Sequence, residues 1–363
     1  MAVEITEEAR RRMQPAFSDL EPYDPLFTPV DVLLSANENP QDIPASVRER
    51  VMEVIAATPF NRYPDPMSKR LRQAIAKWRG VEPESVIVGN GGDELLFNLM
   101  LAFGGNGRTL VNTPPAFSEY ALQAQLTGTA VVDVWRREDF SLDEEGIVEA
   151  ARDAALVVLT SPNNPTGDLV DPEFVARLAE ESDALIVVDE AYGEFAGDEA
   201  SCIPLVAQHP NVVVLRTLSK AYALAGLRCG YVIASPDVIA GLSAVRQPYS
   251  VNVCTQAAAE VVVEMRAEFE QCIQTLRAER DRLYESLQEF VSEGLMETWK
   301  SSANFVFVRI PGAARVFERL RDEHSILVRN FTGAPGCADC LRLTVGTAEE
   351  NDKLVRALAA VLS

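Results

Sequence analysis

Between about residue 67 and residue 233 the chain alternates helical patterns with short apolar runs rich in β-branched residues, at 86–88, 109–111, 130–134, 156–160, 185–188, 212–215 and 231–233. Runs of this kind suit strands buried on both faces, and helical stretches between them are the crossovers that parallel strands require. The pattern predicts an α/β fold with a mostly parallel, seven-stranded sheet between helices. Several of the runs end in polar or glycine-rich segments, and ligands of open α/β sheets lie at those carboxyl ends. From residue 253 one long helical stretch through Phe290 reads as a bridge to a second unit. Strands at 304–308, 326–329 and 341–345, with helices around 312–322 and 348–361, make that unit a smaller α+β body. The expected division is an N-terminal arm over 1–35, a large domain over 36–252 and a small C-terminal domain over 253–363. The arm is rich in proline, shows little periodicity and is expected to pack on another surface, such as a second subunit.

The formal net charge of -21 argues against nucleic acid or an anionic membrane as partner, since either needs a concentrated basic patch. The acidic start MAVEITEEARRRM is not a secretory signal, and no run approaches the roughly 20 apolar residues of a membrane span, so a cytoplasmic protein is expected. Six scattered cysteines suit reduced thiols. Cys337 and Cys340 form a single CxxC, but with no second pair and only His209 and His324 besides, no metal site is expected.

The chemistry is concentrated in four segments. In RTLSKAYALAGLRCG (216–230), Lys220 supplies an amine for a Schiff base, while Thr217, Ser219 and Arg228 can hold a phosphate. An aldehyde and a phosphate on one cofactor describe pyridoxal 5′-phosphate, which enzymes hold through a lysine. A nucleophilic lysine needs a depressed pKa, and partial burial with Arg228 nearby would supply it. In GNGGDELLFNLM (89–100), glycines ahead of a helix offer the backbone N–H groups of Gly92 and Asp93 to that phosphate. In TSPNNPTG (160–167), Asn164 stands at a strand's carboxyl end, able to donate to the cofactor's phenolic oxygen, and Asn164-Pro165 is a candidate cis bond. In LIVVDEAYGEF (185–195), Asp189 could pair with the protonated pyridine nitrogen and Tyr192 could reach the phenolic oxygen, with Glu190 structural or facing solvent.

With these segments in view, the chain resembles the fold type I pyridoxal-phosphate aminotransferases and, within them, the histidinol-phosphate aminotransferase family. The likeness also runs through SANENP (35–40), RYPDP (62–66), TPPAFSEY (113–120) and LRLTVGT (341–347). It implies that Lys220 bonds the cofactor aldehyde, that Asp189 and Tyr192 share in catalysis, and that Phe117 stacks on the ring. It further implies that Tyr63 reaches the phosphate of a neighbouring subunit's cofactor, which makes the active unit a homodimer. Arg342 would bind a substrate carboxylate, as its planar fork suits. Arg329, Tyr23 and Asn37 would complete the substrate pocket, Tyr23 from the partner chain. The implied reaction is transfer of an amino group from L-histidinol phosphate to 2-oxoglutarate in histidine biosynthesis. The segment 24–34 departs from the family by being unusually apolar. An aromatic amino acid aminotransferase and a threonine-phosphate decarboxylase of the same fold stand as alternatives, as does a non-catalytic binding protein.

Overall fold

The computed structural model describes residues 5–18, 20 and 28–363. Among the described residues, twelve strands fall in two sheets: β1 (Val32–Leu34), β2 (Val86–Gly89), β3 (Thr109–Asn112), β4 (Ala130–Asp133), β5 (Leu156–Thr160), β6 (Leu185–Asp189), β7 (Val212–Thr217), β8 (Gly230–Ile233), β9 (Glu297–Thr298), β10 (Phe305–Arg309), β11 (Ile326–Asn330) and β12 (Cys340–Thr344). The larger sheet runs β2-β8-β7-β6-β5-β3-β4. Its pairings are parallel from β4 through β7, and β8 lies antiparallel to both β7 and β2. The seven apolar runs are the seven strands of this sheet, in the mostly parallel arrangement expected of them.

Alternation explains why these strands look apolar throughout. Successive residues face opposite sides of a sheet. Val157, Leu159, Ile186, Val188, Val212 and Val214 join one core, while Leu156, Val158, Leu185, Val187, Val213 and Leu215 join another on the opposite face. Only the edge strand β4 is exposed along its whole length.

The second sheet runs β1-β11-β12-β10-β9. Its first member comes from residues placed in the arm by the sequence pattern: Val32 to Leu34 pair in parallel with Ile326 to Val328. Three residues with burial alternating in, out, in were too short to register as a strand. The long helical stretch after residue 253 is also divided, into Val253–Glu264 and Glu270–Ser292 with a single 3-10 turn between. Helical composition persists across the break, so periodicity alone does not reveal it. The consequence for function is that the chain leaves β1 and passes directly through residues 35–39 between the two sheets.

Candidate active site

Three parallel strands deliver side chains to one edge of the larger sheet: β5 ends at Thr160, β6 at Asp189 and β7 at Thr217. Thr160 and Asp189 are register partners. Asp189 is buried, accepts a hydrogen bond from the Tyr120 hydroxyl at 2.7 Å and another from the Ala191 amide at 3.0 Å, and has no cationic partner among the described residues. Burial therefore raises its carboxyl to about 6, partly countered by the Tyr120 bond. A buried carboxylate without a cation is costly, and a protonated ring nitrogen is a group that would remove the cost.

Lys220 follows β7, half-buried, with its Nζ donating to the Ala36 carbonyl at 2.9 Å. Enclosure, followed by repulsion from the Arg342 guanidinium, lowers its ammonium to about 8. The sequence suggested Arg228 as the responsible cation; its influence is smaller than that of Arg342, which tertiary folding brings from far along the chain. About a tenth of Lys220 is thus neutral and nucleophilic at pH 7, far more than for an ordinary lysine.

The phosphate cup forms where β7, β8 and β2 meet. Gly230 pairs with Thr217 on one side and Gly89 on the other. The helix Gly91–Phe103 starts here with no side-chain cap on its first N–H groups, so those of Gly92 and Asp93 can serve an anion. Close packing makes the glycines necessary. A Cβ on Gly230 would lie 2.8 Å from the Gly91 carbonyl carbon, and one on Gly91, whose φ is +83, would lie 2.6 Å from the Arg228 guanidinium. Ser219 accepts a hydrogen bond from Thr217 at 2.9 Å, and Arg228 reaches across to the Asp93 carboxylate at 2.6 Å.

On the remaining side, Asn164 precedes a cis proline, as its sequence suggested, and its Oδ1 accepts from Arg342 at 2.5 Å. Arg342 also donates to the Ser35 carbonyl at 2.7 Å. Arg329 lies opposite Arg342 in the antiparallel pair of β11 and β12. Two like charges so placed repel, which suits a face that receives an anion. Tyr192 is buried, accepts from the Asn37 amide at 2.9 Å and has its ring 5.9 Å from the Lys220 ammonium. Phe117, half-buried, stands edge-on to Tyr120 at 5.6 Å.

Lys220, Asp189, Tyr192, Asn164, Thr217, Ser219, Arg228, Gly92, Asp93 and Phe117 thus lie about the carboxyl edge of the larger sheet, and Arg342 joins them from β12. Asn37 is nearby, but its side chain is engaged with protein partners. Tyr63 stands apart, 82% exposed and stacked on Tyr249 at 4.6 Å. Tyr23 lies outside the described residues. The sequence reading omitted Tyr120, although it ends the quoted TPPAFSEY, because a tyrosine in a helix gives no sign of what its hydroxyl meets.

It also omitted the buried charges beneath Tyr192. Arg216 contacts Glu190 at 2.5 Å and Glu194 at 3.0 Å, and Arg79 contacts Glu194 at 2.6 Å. Glu190 is buried and structural, not facing solvent, and these pairs fix the turn that carries Asp189 and Tyr192. The two thiols of the CxxC are buried in an aromatic cluster with Phe140 and Phe307, where burial pushes Cys337 up to about 12.

The residues present fit pyridoxal phosphate: an unpaired buried carboxylate for the ring nitrogen, an amine of lowered pKa for the aldehyde, and an uncapped helix start beside Arg228 for the phosphate. Comparison with known proteins agrees. Residues 29–358 match the aminotransferase class I and II family. The chain is 44% identical to histidinol-phosphate aminotransferase 1 of Carboxydothermus hydrogenoformans, over 97% of this chain and 99% of that protein. It is 38% identical to the histidinol-phosphate aminotransferase of Chlorobaculum tepidum, over 90% and 93%. The crystal structure of histidinol-phosphate aminotransferase from Sinorhizobium meliloti in complex with pyridoxal-5′-phosphate superposes with a TM-score of 0.86 at 26% identity, covering 97% of each chain.

Proposed function

The chain belongs to the class I and II aminotransferases, and from that premise we propose that it moves the amino group of L-histidinol phosphate to 2-oxoglutarate, as a cytoplasmic homodimer. It is a pyridoxal-phosphate-dependent enzyme of fold type I. The observation that carries the substrate reading is the 44% identity, across nearly the full length of both proteins, to a relative named for that reaction. Arg342 and Arg329, opposite each other on β12 and β11, support it. Histidinol phosphate carries a phosphate and no carboxylate, whereas 2-oxoglutarate carries carboxylates, and planar guanidinium forks accept either anion.

When bound, pyridoxal phosphate supplies an aldehyde carbon that bonds amines and a ring that accepts the electron pair left when a proton departs from the substrate carbon. Asp189 keeps the ring nitrogen protonated, which is the role its unpaired burial supports. Lys220 would be the base that takes and returns the proton, and the lowering of its ammonium to about 8 in the cofactor-free protein suits proton exchange near neutral pH. Tyr192 and Asn164 hold the phenolic oxygen. Gly92, Asp93, Thr217, Ser219 and Arg228 hold the phosphate, and Phe117 covers the ring face. Tyr63 reaches the phosphate in the second subunit, and Tyr23 serves the substrate pocket there. The working division of the chain is the arm 1–35, the large domain 36–252 and the small domain 253–363.

The test is a panel of amino donors with 2-oxoglutarate, read by the absorbance of the bound cofactor. Histidinol phosphate is expected to convert the cofactor to its amine form faster than phenylalanine, tyrosine or threonine phosphate. A response to the aromatic amino acids alone would make this an aromatic aminotransferase, and loss of carbon dioxide from threonine phosphate would make it a decarboxylase.

A further inference from the structure

Asn37 sits between the two sheets with every polar group of its residue engaged. Its amide nitrogen donates to the Tyr192 hydroxyl at 2.9 Å, and its side-chain oxygen accepts from the Thr344 hydroxyl at 2.9 Å. Its backbone N–H donates to Thr344 Oγ1 at 3.1 Å, and its carbonyl accepts from the Asn304 amide at 3.1 Å. The residue is 1% exposed and holds a φ of +54, a left-handed conformation that asparagine tolerates better than most. Thr344 lies two residues beyond Arg342 on β12, so the two side chains share a face of the second sheet.

Orientation follows from this bonding. Because the Thr344 hydroxyl donates to the Asn37 oxygen, the Asn37 nitrogen must face Tyr192. Because Tyr192 then receives a hydrogen bond on its oxygen, its own proton is left to point into the site. Burial raises the Tyr192 hydroxyl above its ordinary range, and the Arg342 charge and then the Asn37 bond work against that rise.

We infer that Asn37 is a positioning residue that directs the Tyr192 hydroxyl onto the cofactor's phenolic oxygen and ties that bond to the strand carrying Arg342. The inference rests on the reading that Tyr192 faces that oxygen. With its polar groups bonded to protein, Asn37 acts in this role through Tyr192. A donor aimed at the phenolic oxygen favours its negative form and so holds down the pH at which the absorbance of the bound cofactor changes. Weakening the donor raises that pH.

The test is a double-mutant cycle on the cofactor-loaded protein, read as the midpoint of that absorbance change. Asn37→Gly removes the amide without straining the left-handed backbone, and Thr344→Val, a second route to the same effect, frees the amide to turn. Each is expected to raise the midpoint by roughly half a unit to one unit, the scale of one hydrogen bond. In a Tyr192→Phe background neither should move it further. Equal shifts with and without the Tyr192 hydroxyl, or no shift from either variant in the parent, would overturn the inference. If Tyr192→Phe alone leaves the midpoint unchanged, the reading of Tyr192 falls and the inference falls with it. Thermal melts of the cofactor-free variants identify any that do not fold, and the cycle is completed with whichever of the two substitutions does.

Discussion

Asp189 carries opposite consequences for stability and for catalysis. Its carboxyl titrates near 6 in the folded, cofactor-free protein and near the ordinary carboxylate value, about 3.9, when unfolded. The folded state therefore binds the extra proton between those values. The stabilisation it contributes is complete below the unfolded pKa and is lost as pH rises through 6. Two units correspond to about 3 kcal/mol. For Asp189→Asn, the stability of the cofactor-free variant relative to the parent should improve by about that amount between pH 4 and pH 8 in urea unfolding, and its kcat should fall by roughly 100-fold or more. A relative stability that is flat with pH would show that the aspartate is not held out of water. The residue itself was legible from its place at the end of an apolar run. Tyr120, which supplies its hydrogen bond, was not, because the two lie 69 positions apart.

At the scale of elements, the phosphate cup depends on how closely a helix start can approach two strand ends. At Gly91 a Cβ would meet the Arg228 guanidinium at 2.6 Å, and the backbone conformation disfavours one. Gly91→Ala should displace Arg228 and tilt the first turn at a cost of roughly 1–3 kcal/mol. The expected result is a Kd for pyridoxal phosphate weakened about 10-fold or more, with binding of unphosphorylated pyridoxal little changed. Equal losses for both ligands, measured by absorbance titration, would place the damage outside the phosphate cup. The glycines preceding the helix were readable as a turn that could cradle an anion. The strands of the larger sheet were readable because each is buried on both faces and long enough to show it. β1 was not, since three residues carry too little periodicity, and the break at the 3-10 turn after Glu264 is hidden by unbroken helical composition.

For the whole molecule, the exposure of Tyr63 is the feature a single chain leaves unexplained. The residue is 82% exposed, with Phe60 at 68% nearby in sequence and Tyr249 stacked against it. A cluster of exposed aromatics marks an interaction surface. If that surface meets a second copy, Tyr63→Phe keeps the ring and so the dimer in sedimentation, while cofactor affinity drops about 3- to 10-fold through loss of one hydrogen bond to phosphate. Unchanged affinity would remove Tyr63 from the phosphate site. The sequence by itself determined the parallel sheet, the chemical types at its carboxyl ends and hence the cofactor, because those properties repeat locally along strands and turns. Only the tertiary structure decided that Arg342 rather than Arg228 is the main cation depressing the lysine, that Tyr120 braces the aspartate, and that residues 35–39 run between the two sheets. Those are contacts between distant parts of the chain, and distance in space is set by packing, which local sequence patterns do not record.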